Sequence, residues 1–171
     1  MNRSRIVMVI ASLTLALLTT GCGNQDVSAE SPEAIPGAGA SDGQKVTIHL
    51  TANDQMQYDK KTFAVPAGAT VHLILEDTGK LPATVMGHDV AILHQGEDAM
   101  KFGGELVANG AGPANDYLPA SMRSRVLAHT DMIGGGEKTS IEFTAPAPGK
   151  YDYLCTFPGH FAAMNGVMIV E

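Results

Sequence analysis

Apolar and polar residues alternate with a period of two in several short stretches of the chain. Val46, Ile48 and Leu50, for example, alternate with polar neighbours. Such alternation over four to eight residues indicates a half-buried β-strand. The pattern predicts strands over residues 45–51, 63–65, 71–76, 89–93, 125–130, 138–145, 150–155 and 167–171.

Turn residues separate these segments, including the three consecutive glycines at 134–136 and the Pro-Ala-Pro-Gly stretch at 146–149. Many short strands with such punctuation are typical of an all-β sandwich or barrel. Residues 95–121 lack alternation and are long for a loop. We therefore expect a short helical insertion around 97–120, with the helix at 97–102 or 114–118.

The first 22 residues have the composition of a secretory signal. Arg3 and Arg5 precede an apolar run at 6–18, which is too short to span a bilayer, and Cys22 follows Gly21. This arrangement resembles a bacterial lipoprotein signal, in which Cys22 is lipidated and becomes the mature N-terminus. Ordinary secretion with an incidental cysteine is the alternative.

Residues 23–44 contain mainly Gly, Ala, Ser, Pro and acidic residues and offer little to bury. That composition predicts a flexible tether of up to about 70 Å between the lipid anchor and a domain at 45–171.

Charge and cysteine content narrow the possible functions. Removing Arg3 and Arg5 from 11 basic residues against 18 acidic ones changes the net charge from −7 to about −9, so nucleic acid is not an expected partner. If Cys22 carries lipid, Cys155 has no cysteine partner within the chain. Cys155 is then a buried small residue, a reactive thiol or a metal ligand.

Three metal-ligand side chains lie on one predicted loop between two strands: Cys155, His160 and Met164. Thiolate and thioether suit copper(I), and imidazole suits copper in either oxidation state. A type 1 copper site also needs a second histidine, for which His88 is a candidate because Gly87 lets the backbone approach closely. A zinc site fits poorly, since structural zinc sites use paired cysteines. A core cysteine and methionine beside an incidental histidine are the remaining alternative.

Several longer motifs accompany this loop, in a fixed order along the chain. They are ANDQMQY at 52–58, LP at 81–82, VMGH at 85–88, RVLAHT at 125–130, GEKTS at 136–140 and CTFPGH at 155–160, followed by MNG at 164–166. On these motifs the chain resembles the azurins, and more closely their lipid-modified forms, over about residues 45–171. The resemblance implies an eight-stranded Greek-key cupredoxin sandwich that holds one type 1 copper.

The resemblance also implies roles for individual residues. His88, Cys155 and His160 would be the strong ligands, Met164 the weak axial ligand, and the Gly87 carbonyl a weak ligand opposite it. The backbone N–H groups of Asp89 and Phe157 would donate to the Cys155 sulfur.

The chain departs from the family pattern in several places. Asp89 stands where azurins usually have an asparagine that links the two ligand loops, which leaves that link in question. The internal disulfide of the family is missing because its cysteines are missing.

The resulting hypothesis is a monomeric one-electron carrier of the bacterial envelope, and not an enzyme. Its partners would be c-type cytochromes or copper-containing reductases or oxidases, which would dock on an apolar patch around His160 formed by Met86, Pro158, Phe161 and Ala162. Copper buffering or delivery is the alternative function, and an interaction protein that uses the fold as a scaffold is a third. Gly23 after Cys22 favours the outer membrane over the inner one, with the domain in the periplasm or at the surface.

Overall fold

The computed structural model describes residues 43–171. The predicted signal, Cys22 and residues 23–42 of the predicted tether lie outside the described residues. Within residues 43–171, no helix has the length and apolar character needed to cross a bilayer.

Nine strands form two sheets in this part of the chain. The first sheet has the order β2-β1-β4-β7, and the second has the order β3-β9-β8-β5-β6. The strands are β1 (Lys45–Asn53), β2 (Gln57–Tyr58), β3 (Thr62–Val65), β4 (Thr70–Asp77), β5 (Ala91–Leu93), β6 (Val126–His129), β7 (Lys138–Thr144), β8 (Gly149–Leu154) and β9 (Asn165–Val170).

This arrangement confirms the predicted all-β cupredoxin sandwich. Each of the eight predicted strands is present, with ends that agree to within two residues, and β2 is a short addition that pairs with the end of β1. The predicted strand at 89–93 begins later, at Ala91. The Asp89 carboxylate instead contacts Thr156 and His129, and the Val90 N–H donates to the Thr130 hydroxyl.

Because of the alternation, every second side chain of a strand points into the space between the two sheets. In β4, Val71, Leu73 and Leu75 are fully buried, whereas the residues between them are half-buried. On the opposite sheet, Tyr153 and Met168 are also fully buried and belong to the same cluster. This inter-sheet core also contains Cys155, so the candidate ligand extends from the main hydrophobic core.

The helical insertion is also confirmed, and its longer helix overlaps the first predicted position, 97–102, beginning two residues later and extending beyond it. Helix α1 covers Ala83–Met86, and α2 covers Ala99–Ala108. The carboxylate of Asp98 caps α2 by accepting a hydrogen bond from the Lys101 N–H at 2.7 Å. Three 3₁₀ turns lie at Pro113–Asn115, Ala120–Arg125 and His160–Ala162.

Helix α2 packs on the outer face of the second sheet and supports the loop that carries His160. Its buried residues Phe102 and Leu106 form a second core with Leu93 and Leu154. Phe161 packs against this cluster and lies over Gly103, where a side chain would be too close to its ring.

We expect Gly103→Ala to destabilise the copper-free protein by about 1–3 kcal/mol, because overpacking forces side chains and backbone to shift. A Cβ atom at Gly103 would lie 2.1 Å from Cγ of Phe161. The urea midpoint measures this effect. Gly104→Ala is the matched control, since a Cβ there meets nothing within 4 Å, and it should stabilise the helix by about 0.5–1 kcal/mol. Equal effects of the two substitutions would contradict this packing.

Candidate metal centre

Two loops at one end of the sandwich carry the predicted ligands. His88 lies between α1 and β5, and its backbone N–H and C=O both pair with Ile133 at 2.9 Å. Cys155 directly follows β8, and its N–H donates to the Met164 carbonyl at 3.0 Å. The segment between these two residues contains His160, so the hydrogen bond closes the loop at its base.

The side chains of His88, Cys155 and His160 converge. One ligand atom from each lies within 4.8 Å of the other two. Sγ of Cys155 is 3.7 Å from Nδ1 of His160. His88 and Cys155 are fully buried, and His160 is 5% exposed. Among residues 43–171 this is the group of histidine, cysteine and acidic side chains with the spacing of a metal site.

A backbone carbonyl at the end of β1, in the first sheet, fixes the orientation of the His88 ring. Nε2 of His88 lies 3.0 Å from the Asn53 carbonyl oxygen, so Nε2 carries the proton and donates it. Nδ1 of the same ring is buried and has no hydrogen-bond partner. An unprotonated nitrogen without a partner, facing a thiol and a second imidazole, fits a copper ion well.

Burial keeps both imidazoles neutral. It lowers the pKa of His160 to about 4, with a further contribution from the nearby His88, and it also lowers the pKa of His88. Burial raises the pKa of the Cys155 thiol above its usual value. Copper binding requires neutral imidazole and a thiolate, so the site holds two ligands in the required state and releases one proton when the third binds.

The two predicted weak ligands also lie at this site. The Gly87 carbonyl oxygen is 3.7 Å from Sγ of Cys155. A side chain at Gly87 would collide with the Ala83 carbonyl at 2.5 Å, which explains the need for glycine there. Met164 is fully buried in the same cluster as Cys155, and its N–H donates to the His160 carbonyl at 2.8 Å. Their roles as weak ligands stay predictions.

The backbone N–H groups of Asp89 and Phe157 lower the pKa of the Cys155 thiol, against the effect of burial. Their role as donors to the copper-bound sulfur stays a prediction. The Phe157 ring also lies against the His160 ring, with centroids 4.4 Å apart.

Asp89 does link the two ligand loops. Its Oδ1 accepts a hydrogen bond from the Thr156 N–H at 2.7 Å, and its Oδ2 accepts one from the Thr156 hydroxyl. Oδ2 also lies 2.7 Å from Nε2 of His129. The sequence did not identify Thr156 or His129 as site residues, although they lie within the motifs CTFPGH at 155–160 and RVLAHT at 125–130.

The residues predicted to form an apolar patch around His160 differ in their exposure to solvent. Pro158 and Ala162 are exposed and Met86 is half-buried. The Phe161 ring is partly buried because it packs over Gly103 of α2, so it contributes less surface than predicted. Val85, at 58% exposed, and Leu81 extend the apolar surface beside α1, and they were not predicted.

A cupredoxin sandwich with buried imidazole, thiol and imidazole donors at one end defines a type 1 copper protein. Comparison with known proteins agrees with this class. Residues 44–171 match the family described as copper binding proteins, plastocyanin/azurin family. The chain therefore belongs to the plastocyanin/azurin family of copper-binding proteins.

Individual relatives support the same conclusion. The chain is 34% identical to auracyanin-A of Chloroflexus aurantiacus, over 96% of each chain. It is 39% identical to the azurin of Bordetella pertussis, over 71% of this chain and 81% of that protein. Among solved structures, a dithionite-reduced auracyanin from Roseiflexus castenholzii superposes with a TM-score of 0.64 at 39% identity, covering 75% of this chain and 99% of that one. The protein is an electron carrier of the blue copper class, and not an enzyme.

The copper-free protein should lose stability as the pH falls from about 6.5 towards 4. The pKa of His160 is about 4 in the folded chain and about 6.5 in an unfolded one, so the unfolded chain binds more protons in this range. One such group changes the free energy of unfolding by about 1.4 kcal/mol per pH unit. Urea unfolding of the wild type and of His160→Gln measures the contribution, and the wild type should show the steeper loss. Equal pH dependence in the two proteins would contradict it.

Proposed function

We propose that this protein carries single electrons between redox proteins of the bacterial cell envelope. The observation that carries the proposal is the convergence of ligand atoms from His88, Cys155 and His160 in a buried site, where Nδ1 of His88 has no hydrogen-bond partner. Copper bound there would cycle between its cuprous and cupric states. Met164 and the Gly87 carbonyl are proposed as weak ligands that tune the potential.

The protein supplies a rigid environment for this exchange. The Asn53 carbonyl orients the His88 ring, and the Cys155–Met164 backbone hydrogen bond closes the second ligand loop. A site held by the fold changes little between oxidation states, which favours fast electron transfer. Burial of all three donors also argues for retention of the metal, so it favours a carrier over a buffering or delivery protein.

Electrons are proposed to enter and leave near His160, which lies just beneath the surface. The apolar surface beside it consists of Met86, Pro158, Ala162 and the partly buried Phe161, with Val85 next to Met86 on α1. Such a surface suits brief contact with a redox partner, and encounters of this kind bury under about 1,200 Å². We propose c-type cytochromes or copper-containing reductases or oxidases as partners for the monomeric protein.

Addition of copper(II) to the copper-free protein should produce an intense blue absorption from thiolate-to-copper charge transfer. The loaded protein should give a fast, reversible one-electron wave and should exchange its copper slowly with a chelator. Voltammetry and isotopic copper exchange measure the two properties. Rapid copper exchange with a sluggish wave would favour a delivery function instead.

Two variants serve as controls for the ligand set. Cys155→Ser should abolish the blue colour, because the thiolate is its source. Met164→Leu should retain the colour and raise the reduction potential, since a weak donor to copper(II) is removed. A lowered potential in Met164→Leu would exclude Met164 as the axial ligand.

We further propose that Cys22 anchors the protein to the outer membrane through lipid, with residues 23–44 as the tether. The supporting observation is the sequence pattern at 1–22. In cells given radiolabelled palmitate, the wild-type protein should incorporate label and partition with the membrane fraction. Cys22→Ser should remain unlabelled. A wild-type protein without label would refute lipidation.

A further inference from the structure

Asp89 is a fully buried carboxyl group immediately after a copper-ligand candidate. Removing a carboxylate from water is costly unless hydrogen-bond donors replace the lost solvent. The asparagine that the family usually has at this position is neutral, so its burial would not require donors to replace the lost solvent. The side chains around Asp89 must therefore supply donors that an asparagine would not need.

Three donors surround this carboxylate. The Thr156 N–H donates a hydrogen bond to Oδ1 at 2.7 Å, and the Thr156 hydroxyl donates one to Oδ2. The third donor is Nε2 of His129, 2.7 Å from Oδ2. Because Thr156 directly follows Cys155, the position of this carboxylate determines the position of the backbone that carries the thiol.

His129 reaches the carboxylate from an edge strand. It lies on β6, in register with Ala91 of β5, two residues after Asp89. Its side chain is 19% exposed and lines a groove of about 620 Å³ formed with residues that include Tyr117, Arg123 and Asp131. The imidazole thus borders the groove, while its Nε2 contacts the buried carboxylate.

We infer that His129 is a positioning residue of the copper site, which holds the Asp89 carboxylate and, through it, the Thr156 backbone beside Cys155. This inference extends the proposed carrier function. Only its redox measurement rests on that function. The structural measurement uses the copper-free protein and is independent of that function.

The test compares His129→Leu, which removes the donor, with His129→Gln, whose side-chain amide places a donor at the position of Nε2. In the copper-free protein, hydrogen exchange of the Thr156 amide should accelerate at least about tenfold in His129→Leu, equivalent to one lost hydrogen bond. His129→Gln should stay near the wild-type rate. The amide of Leu73, in the core of the other sheet, reports global unfolding and shows how much of the acceleration reflects a loss of overall stability.

The copper-loaded proteins provide the second readout. A carboxylate with one donor fewer stabilises the cupric state, so His129→Leu should have a lower reduction potential than the wild type. His129→Gln should restore it. His94→Leu is the matched control, because His94 is exposed just after β5, and it should change neither the exchange rate nor the potential.

Asp89→Asn should suppress the effect of His129→Leu. An asparagine accepts the Thr156 N–H through its oxygen and donates to the Thr156 hydroxyl through its amide, so it satisfies both groups without His129. The double variant should regain slow exchange of the Thr156 amide. If His129→Leu does not fold, the double variant should still fold, and its failure would overturn the inference.

Two other outcomes would overturn the inference as well. They are an unchanged Thr156 exchange rate in His129→Leu and additive effects of the changes at positions 89 and 129. Each of them would leave the ligand assignment intact, since that depends on the blue absorption of the wild-type protein.

Discussion

Nδ1 of His88 is buried without a hydrogen-bond partner, in a ring that brings a ligand nitrogen within 4.8 Å of the donor atoms of Cys155 and His160. An unsatisfied buried polar atom costs about 1–3 kcal/mol, and two neutral imidazoles beside a buried thiol gain little from one another. The folded chain therefore maintains an arrangement that is unfavourable without a cation. The surrounding structure must be stable enough to hold these three side chains together before the metal arrives.

Both sheets contribute to that support. The first sheet orients the His88 ring through the Asn53 carbonyl at the end of β1, whereas the second sheet provides Cys155 at the end of β8 and closes its loop through Met164. Helix α2 supports the same loop from outside through the contact between Gly103 and Phe161. Since these supports belong to separate elements, the site is rigid in several directions, which suits a centre that must change oxidation state with little movement.

The strands and the ligand-bearing loop could be predicted because each depends on local pattern. Period-two alternation identifies β4 by itself, and donors at 155, 160 and 164 on one loop indicate a soft metal regardless of the rest. His88 could be named as the second histidine, but its tautomer could not, because the carbonyl that fixes it comes from Asn53 in the other sheet. The burial of Phe161 was missed for a similar reason, since it depends on the position of α2. Contacts between distant segments leave no local pattern in the sequence.

A buried carboxylate at position 89 needs hydrogen-bond donors, and these come from more than one element of the fold. An asparagine at this position can both accept and donate, so it can be satisfied by the two groups of Thr156 alone. An aspartate can only accept when ionised, and the Thr156 hydroxyl then has to act as a donor. Burial makes a further donor favourable, and the strand that reaches Oδ2 is β6, an edge strand with space for an imidazole between the carboxylate and the groove. The electrostatic environment of Cys155 is consequently set in part by His129, which acts through Asp89 and Thr156.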